Sequence, residues 1–227
     1  MNIDQAYRLV NSIVNKNQRG YVKPSDFNNW AIVAQIEAIS DRLTNVKKLD
    51  QRMVPQYGYK IDAKVKNELR ELINGPVALT LTAGLADYPE DYFYIDSIQT
   101  DDYIPIDIID TDQYADVKQS LIYPPDDLHP VAVFYGDKIR IDPSAVDVLW
   151  TYLRYPQDPN WDYTMVSGSP VYNSTNVPGV TGIISHNFEV DRSMHTEICW
   201  RICKYAGMNI DMSTVTQMAM VQEASGV

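Results

Sequence analysis

The sequence predicts an α+β protein: an α-helical bundle built from the N- and C-terminal helices, with a small antiparallel β sheet or partial barrel inserted between them. Three observations carry this reading. Residues 3–14 and 25–49 repeat apolar side chains at close to the 3.6-residue helical period. The run PVAVFYGDKIRIDPSAVDVLWTYLRYPQDPNW, from Pro130 to Trp161, has the alternation and turn chemistry of short strands. Residues 191–208 then return to a helical spacing. The expected organisation is an N-terminal helical part over 1–76, a β domain over 77–190 with a long loop at 164–187, and C-terminal helices over 191–227 that pack back on the first part.

In the first helix the apolar positions are Ile3, Ala6, Leu9/Val10 and Ile13/Val14, with Asn2 or Asp4 placed to cap its start. Gly20 and Pro24 punctuate the link to a longer helix opening at Ser25. There Ile32, Ile36, Ile39, Leu43 and Val46 mark one face, widened by Phe27, Trp30 and Ala34. Val65, Leu69 and Leu72/Ile73 indicate a short third helix, which Gly75-Pro76 is expected to end.

VALTLT (77–82) and YFYIDSI (92–98) have strand character, and Ala83-Gly84 supplies a turn. In the second of these, Phe93, Ile95 and Ser97 alternate with Tyr92, Tyr94 and Ile98. VAVFY, a Gly136-Asp137 turn and KIRID read as a hairpin with Ile139 and Ile141 on its buried face. The stretch 164–187 is rich in Ser, Gly, Pro, Asn and Thr, with a small hairpin expected around Pro178-Gly179. Phe188–Val190 reads as a closing strand. Asp191 or Ser193 then caps a helix running to Met208, with Met194, Ile198, Ile202 and Tyr205/Ala206 on one face, and a last amphipathic segment starts at Ser213.

The formal net charge of −11 argues against a protein that grips nucleic acid through a basic face, since such binding displaces counterions with Lys and Arg. Between Asp87 and Asp127 the single base is Lys118. No apolar run approaches the roughly 20 residues of a membrane helix, and MNIDQAYRLV lacks the basic flank and apolar block of a secretory signal, so a soluble protein made in a cytoplasm is expected. Sixteen tyrosines against four phenylalanines favour surfaces that pack at one end and stay wet at the other, as protein interfaces do.

Each catalytic constellation fails on a specific point. There is no G-x-S-x-G elbow and no phosphate-binding glycine loop, and His129, His186 and His195 are scattered. His195, Cys199 and Cys203 share a helical face, but the first and last stand about 12 Å apart at 1.5 Å per residue, too far to share a zinc ion. The two cysteines read as reduced, buried thiols. Asp110, Asp112 and Asp116 have offsets like those of a calcium loop, but Ala115 stands where that loop needs Gly, and Leu121 where it needs Glu. A metal-dependent nuclease would draw on Asp116 and Lys118 with Asp91 or Asp96. No catalytic residue, metal site or cofactor is therefore expected.

The order of elements resembles the head–tail connector family of short-tailed bacteriophages (adaptor, or tail tubular protein A-like). The residues that carry it are the opening helices Ile3–Leu49, YPEDYFYIDSI, GDKIRIDPSAVDVLWTYLRYPQDPNW and the returning FEVDRSMHTEICWRICKYAGMNID. PSDFNNWAIVAQIEAISDRL is also similar to virion ring proteins of crAss-like phages infecting gut Bacteroidales. The resemblance implies a non-enzymatic subunit of a dodecameric ring in the virion neck or tail, assembled in the host cytoplasm. Its partners would be further copies of itself, the portal protein and other tail or ring proteins, with double-stranded DNA passing through without specific binding and no membrane engaged. Ring contacts are assigned to the second helix (Phe27, Trp30, Ile36), the 164–187 loop (with Tyr172) and the tyrosine-rich sheet (with Tyr163). Asp101, Asp102, Asp110, Asp112 and Asp116 are the acidic residues placed toward a lumen, where like charge repels DNA. The alternatives are a metal-dependent nuclease or nucleic-acid-processing factor, or another tail ring such as a stopper or gatekeeper.

Overall fold

Asn2 and Gln5 form a reciprocal capping box at the start of α1 (Ile3–Val14), so Asn2 is the cap and Asp4 is left free for another role. The computed structural model describes residues 1–15, 21–50, 63–144, 147–173, 185–209 and 220–221. Within these the protein is a mixed α+β fold of five helices and several small sheets, without a closed barrel. It divides into two compact units, one made of 1–44, 67–71 and 156–227, the other of 45–66 and 72–155.

The first unit draws on both chain ends. Pro24 opens α2 (Pro24–Asp50), one residue ahead of the expected Ser25, a position where its missing N–H costs nothing. The buried face of α2 is Phe27, Ala31, Ala34, Ala38, Ile39 and Leu43 together with Gln35. Ile32 and Ile36 are only half-buried, because three alanines allow close packing on the adjacent stripe. Gln35 is tolerated there because its amide donates to the Gln157 carbonyl (3.1 Å) and accepts from the Glu189 N–H (3.1 Å).

A short 3-10 turn, Arg192–Met194, capped by Asp191, leads into α5 (His195–Asn209), which packs on α1. Its buried stripe is Ile198, Cys199, Ile202, Cys203 and Ala206. Phe188 and Val190 are buried, but 188–190 is not the expected strand. Its backbone bonds go to side chains and turns instead, for example Glu189 N–H to Gln35.

The 164–187 region is not wholly loop. β8 (Tyr163–Val166) and β9 (Ser169–Tyr172) form a hairpin around Ser167 and Gly168, both at positive φ as a tight two-residue turn demands. This hairpin lies with the helices in the first unit, not in a β domain reaching to 190. The hairpin expected at Pro178-Gly179 lies outside the described residues, as does most of the segment from Ser213. Asn173 and Ser185, on either side of 174–184, are clasped: Ser185 Oγ donates to the Asn173 carbonyl (2.8 Å) and accepts from the Asp162 N–H (3.0 Å).

α3 (Ala63–Glu68) straddles the division, with 63–66 in the second unit and 67–68 in the first, and ends earlier than expected. Gly75-Pro76 does not stop it; it lies inside β1 (Ile73–Leu79), at a bulge between Asn74 and Val77. With β3 (Tyr92–Thr100) and β7 (Val148–Arg154), β1 forms a three-stranded antiparallel sheet in the order β1-β7-β3. A four-stranded sheet runs β2 (Leu85–Asp87), β6 (Lys138–Asp142), β5 (Val131–Phe134), β4 (Asp107–Ile109). The β5–β6 hairpin turns at Gly136-Asp137 as expected, with Ile139 and Ile141 buried.

The β4–β5 pair departs from the expected antiparallel sheet by being parallel. Parallel neighbours need a long crossover, and residues 110–130, including α4 (Tyr114–Lys118), provide it. Two bulges in β3 also break its predicted alternation, so Ile95 and Ile98 reach the same core. That core is shared by both sheets: Ile95, Ile98, Ala132, Ile139, Ile141, Val148, Trp150 and Tyr152. The second bulge region also buries Asp96, which Lys66 answers at 2.7 Å.

Gly75 is required by space as well as by backbone angle. It sits at φ +128°, and a Cβ there would lie 2.6 Å from the Trp150 carbonyl oxygen and 2.9 Å from Thr151 Cα. Gly75→Ala is expected to destabilise the second unit by about 2 kcal/mol or more in urea unfolding. Gly136→Ala, where a Cβ would meet nothing within 4 Å, serves as the control and should stay within about 0.5 kcal/mol of the parent.

Candidate interaction surface

Trp161 ends the extended run that follows β7 and meets both N-terminal helices. Its indole stacks on Tyr7 of α1 at 4.1 Å between ring centroids, and Tyr7 in turn meets Phe27 of α2 edge-on at 5.1 Å. Its Nε1–H donates to Asp4 (3.1 Å), the carboxylate that the capping box left available, and Arg8 also pairs with Asp4. The backbone of Trp161 is held by Asn28, which accepts from its N–H (2.9 Å) and donates to its carbonyl (3.3 Å). Tyr163 and Tyr172 face each other across the hairpin and stack on the same indole at 5.6 and 5.8 Å.

This geometry sorts the predicted contact residues. Phe27 is fully enclosed by its own chain, so it packs the core and is not available to a partner. Trp30 and Ile36 are half-buried on α2, and Val33 beside them is exposed. Tyr163 and Tyr172 are half-buried because the Trp161 stack occupies one face of each ring. Beyond them the hairpin presents Met165, Val166 and Val171 to solvent, a feature that the sequence reading passed over.

The helix surface beside this cluster is ionic. The buried Arg201 of α5 donates to Asp41 of α2 and to Glu197, both at 2.7 Å. Arg42 pairs with Glu68 and Glu197, and Tyr205 donates to Glu37. Such a network costs desolvation and returns it through several hydrogen bonds, so its clearest effect is to fix how α2 and α5 are aligned.

In the second unit Asp101, Asp102, Asp110, Asp112 and Asp116 are all exposed. Of the residues a nuclease would draw on, Asp116 is exposed and the others are engaged. Lys118 pairs with Asp142 (2.7 Å) and donates to Tyr114, Asp96 pairs with Lys66, and Asp91 accepts from Tyr152 (2.9 Å). Among the described residues no three His, Cys, Asp or Glu side chains cluster closely enough to hold a metal ion, which includes the calcium-like aspartates. Cys199 and Cys203 are free and buried, and burial pushes both thiols up to about 12, which keeps them from acting as thiolates near neutral pH. No described helix is long and apolar enough to cross a membrane.

Downstream of α4 lies the most exposed apolar stretch among the described residues. Leu121 is 100% exposed, Ile122 81%, Tyr123 75% and Leu128 67%. In the sequence Leu121–Tyr123 is marked only as part of the acidic run from Asp87 to Asp127.

Neither a family model nor a curated protein matches the chain.

Two outcomes follow from the packing. Trp161→Ala is expected to cost the first unit about 3–5 kcal/mol in urea unfolding followed by near-ultraviolet circular dichroism. Trp161→Phe, which keeps a ring but loses the bond to Asp4, should cost about 1–2 kcal/mol. The second outcome concerns His195, whose Nε2–H donates to the Val190 carbonyl while Nδ1 is buried without a partner among the described residues. Burial lowers its pKa, so the folded protein holds it neutral, whereas the unfolded chain protonates it at an ordinary value of about 6.5. Stability is therefore expected to fall as pH drops through and below that value, and His195→Gln should flatten the slope between about pH 7 and pH 5 in thermal melts.

Proposed function

We propose that the chain is a structural subunit of a ring in a tailed-phage virion, a connector between capsid and tail that extends the DNA channel below the portal. The observation that carries this reading is the way the chain is divided. Both ends build one unit, with α1 against α5, and the middle of the chain forms a separate two-sheet unit. In this reading the helices of the first unit are the bundle and the second unit is its β insert, the order seen in the connector family that the sequence resembles.

Further support comes from the surfaces. A closed ring joins unlike faces of neighbouring copies, so each subunit must expose two different contact regions. The α2 face with Trp30, Val33 and Ile36 is one candidate, and the hairpin tip with Met165 and Val166 is another. The five exposed aspartates are placed toward the lumen in this reading, where they repel passing DNA. A nuclease is favoured by no observation, since Lys118, Asp96 and Asp91 each have other partners. A stopper or gatekeeper ring fits the same surfaces and differs only in its place along the tail.

Mass photometry and negative-stain imaging of the purified protein, alone and with its portal, test the proposal. Rings on the portal are the expected result, and a strict monomer that never joins portal overturns it. Met165→Ser with Val166→Ser should leave the melting temperature within about 2 °C of the parent, since both side chains are exposed, yet reduce ring formation. Plasmid DNA incubated with the protein and Mg²⁺ or Mn²⁺ should stay intact.

A further inference from the structure

We propose that residues 119–129 form a preshaped docking finger for a different protein, whose receiving surface is an apolar hollow rimmed by Lys and Arg. Four large apolar side chains, Leu121, Ile122, Tyr123 and Leu128, stand 67–100% exposed in one eleven-residue stretch. Exposed apolar side chains grouped in this way mark contact sites, whereas single ones do not.

The stretch also holds its shape. Ser120 Oγ accepts from the N–H groups of Ile122 and Tyr123 (3.3 and 3.1 Å). Asp126 accepts from the N–H groups of Leu128 and His129 (3.0 and 2.7 Å) and bonds the His129 ring, and Pro124-Pro125 joins the two turns. A segment already fixed in this way loses little conformational entropy when it binds.

Charge selects the partner. From Asp110 to His129 the chain carries five aspartates and one lysine, and that lysine is already paired with Asp142. An apolar tip with an acidic rim is complemented by an apolar hollow with a basic rim. A second copy fits poorly, because the chain carries a net −11 and Arg42, Lys66, Lys138 and Arg201 are in ion pairs of their own. An anionic membrane surface is repelled by the same carboxylates. The inference does not depend on ring formation, and it competes with a lumen-facing place for Asp110, Asp112 and Asp116, whose carboxylates would border the docked partner instead.

The test uses the full chain and two helical peptides, one of Leu and Lys and one of Leu and Glu, each offering an apolar stripe with a charged border. Titration calorimetry should show binding of the Leu–Lys peptide only. Leu121→Ser with Ile122→Ser should weaken it about tenfold or more without changing the melting temperature. Asp116→Asn with Asp127→Asn should weaken it and reduce its salt dependence. Equal binding by the serine variant, or equal binding of the Leu–Glu peptide, overturns the proposal. So does sedimentation showing self-association that the serine variant abolishes, or serine-sensitive binding to phosphatidylcholine vesicles.

Discussion

The first unit depends on what surrounds one indole. Trp161 bonds α1 through Asp4, stacks on it through Tyr7, and is gripped at its backbone by α2 through Asn28. The hairpin is then seated on the far side through Tyr163 and Tyr172. A two-stranded hairpin is marginal by itself in water, so β8 and β9 owe their order to that seat. Helix–helix packing of α1 on α5 supplies apolar burial, but it does not say where residues 156–173 belong. The Trp161 bonds do. They tie a segment from late in the chain to two helices from its beginning, which closes the unit across the sequence.

The second unit solves its packing with aromatic rings. Trp150 lies under Tyr92 at 5.4 Å and beside Tyr152 at 5.1 Å, and its Nε1–H has no hydrogen-bond partner among the described residues. An unmade bond of this kind costs about 1–3 kcal/mol. Burying the indole among neighbouring rings offsets it, since each large aromatic removes about 150–250 Å² from water. The same strand explains Gly75. β1 bulges against the backbone of Trp150 and Thr151, and only a residue without Cβ fits.

Much of this was legible in the sequence, and the failures share a cause. The bounds of α1, the Ala83-Gly84 and Gly136-Asp137 turns, the inward Ile139 and Ile141 and the buried stripe of α5 all follow from local spacing, and local spacing is what a sequence displays. The parallel β4–β5 pair, the β3 bulges and Gly75-Pro76 inside a strand are set by neighbours distant in the chain, and no local pattern announces them. On α2 the expected face holds at Phe27, Ala34, Ile39 and Leu43, but Ala31 and Ala38 turn it away from Ile32 and Ile36, because small residues permit close approach. Phe27 looked like a contact residue for the same reason that it is a core residue: it is large and apolar, and sequence alone does not say which surface it covers. The exposed Leu121–Leu128 stretch was hidden because exposure is a property of the folded chain.

The clasp between Asn173 and Ser185 has a consequence for mechanical load. Ser185 Oγ bonds both the Asn173 carbonyl and the Asp162 N–H, and the Asn173 side chain donates to Asp162, so the base of the hairpin is gathered at one point. A pull on the hairpin is therefore met by several short hydrogen bonds side by side. They must give way together, and not one after another, before the two strands part from their seat.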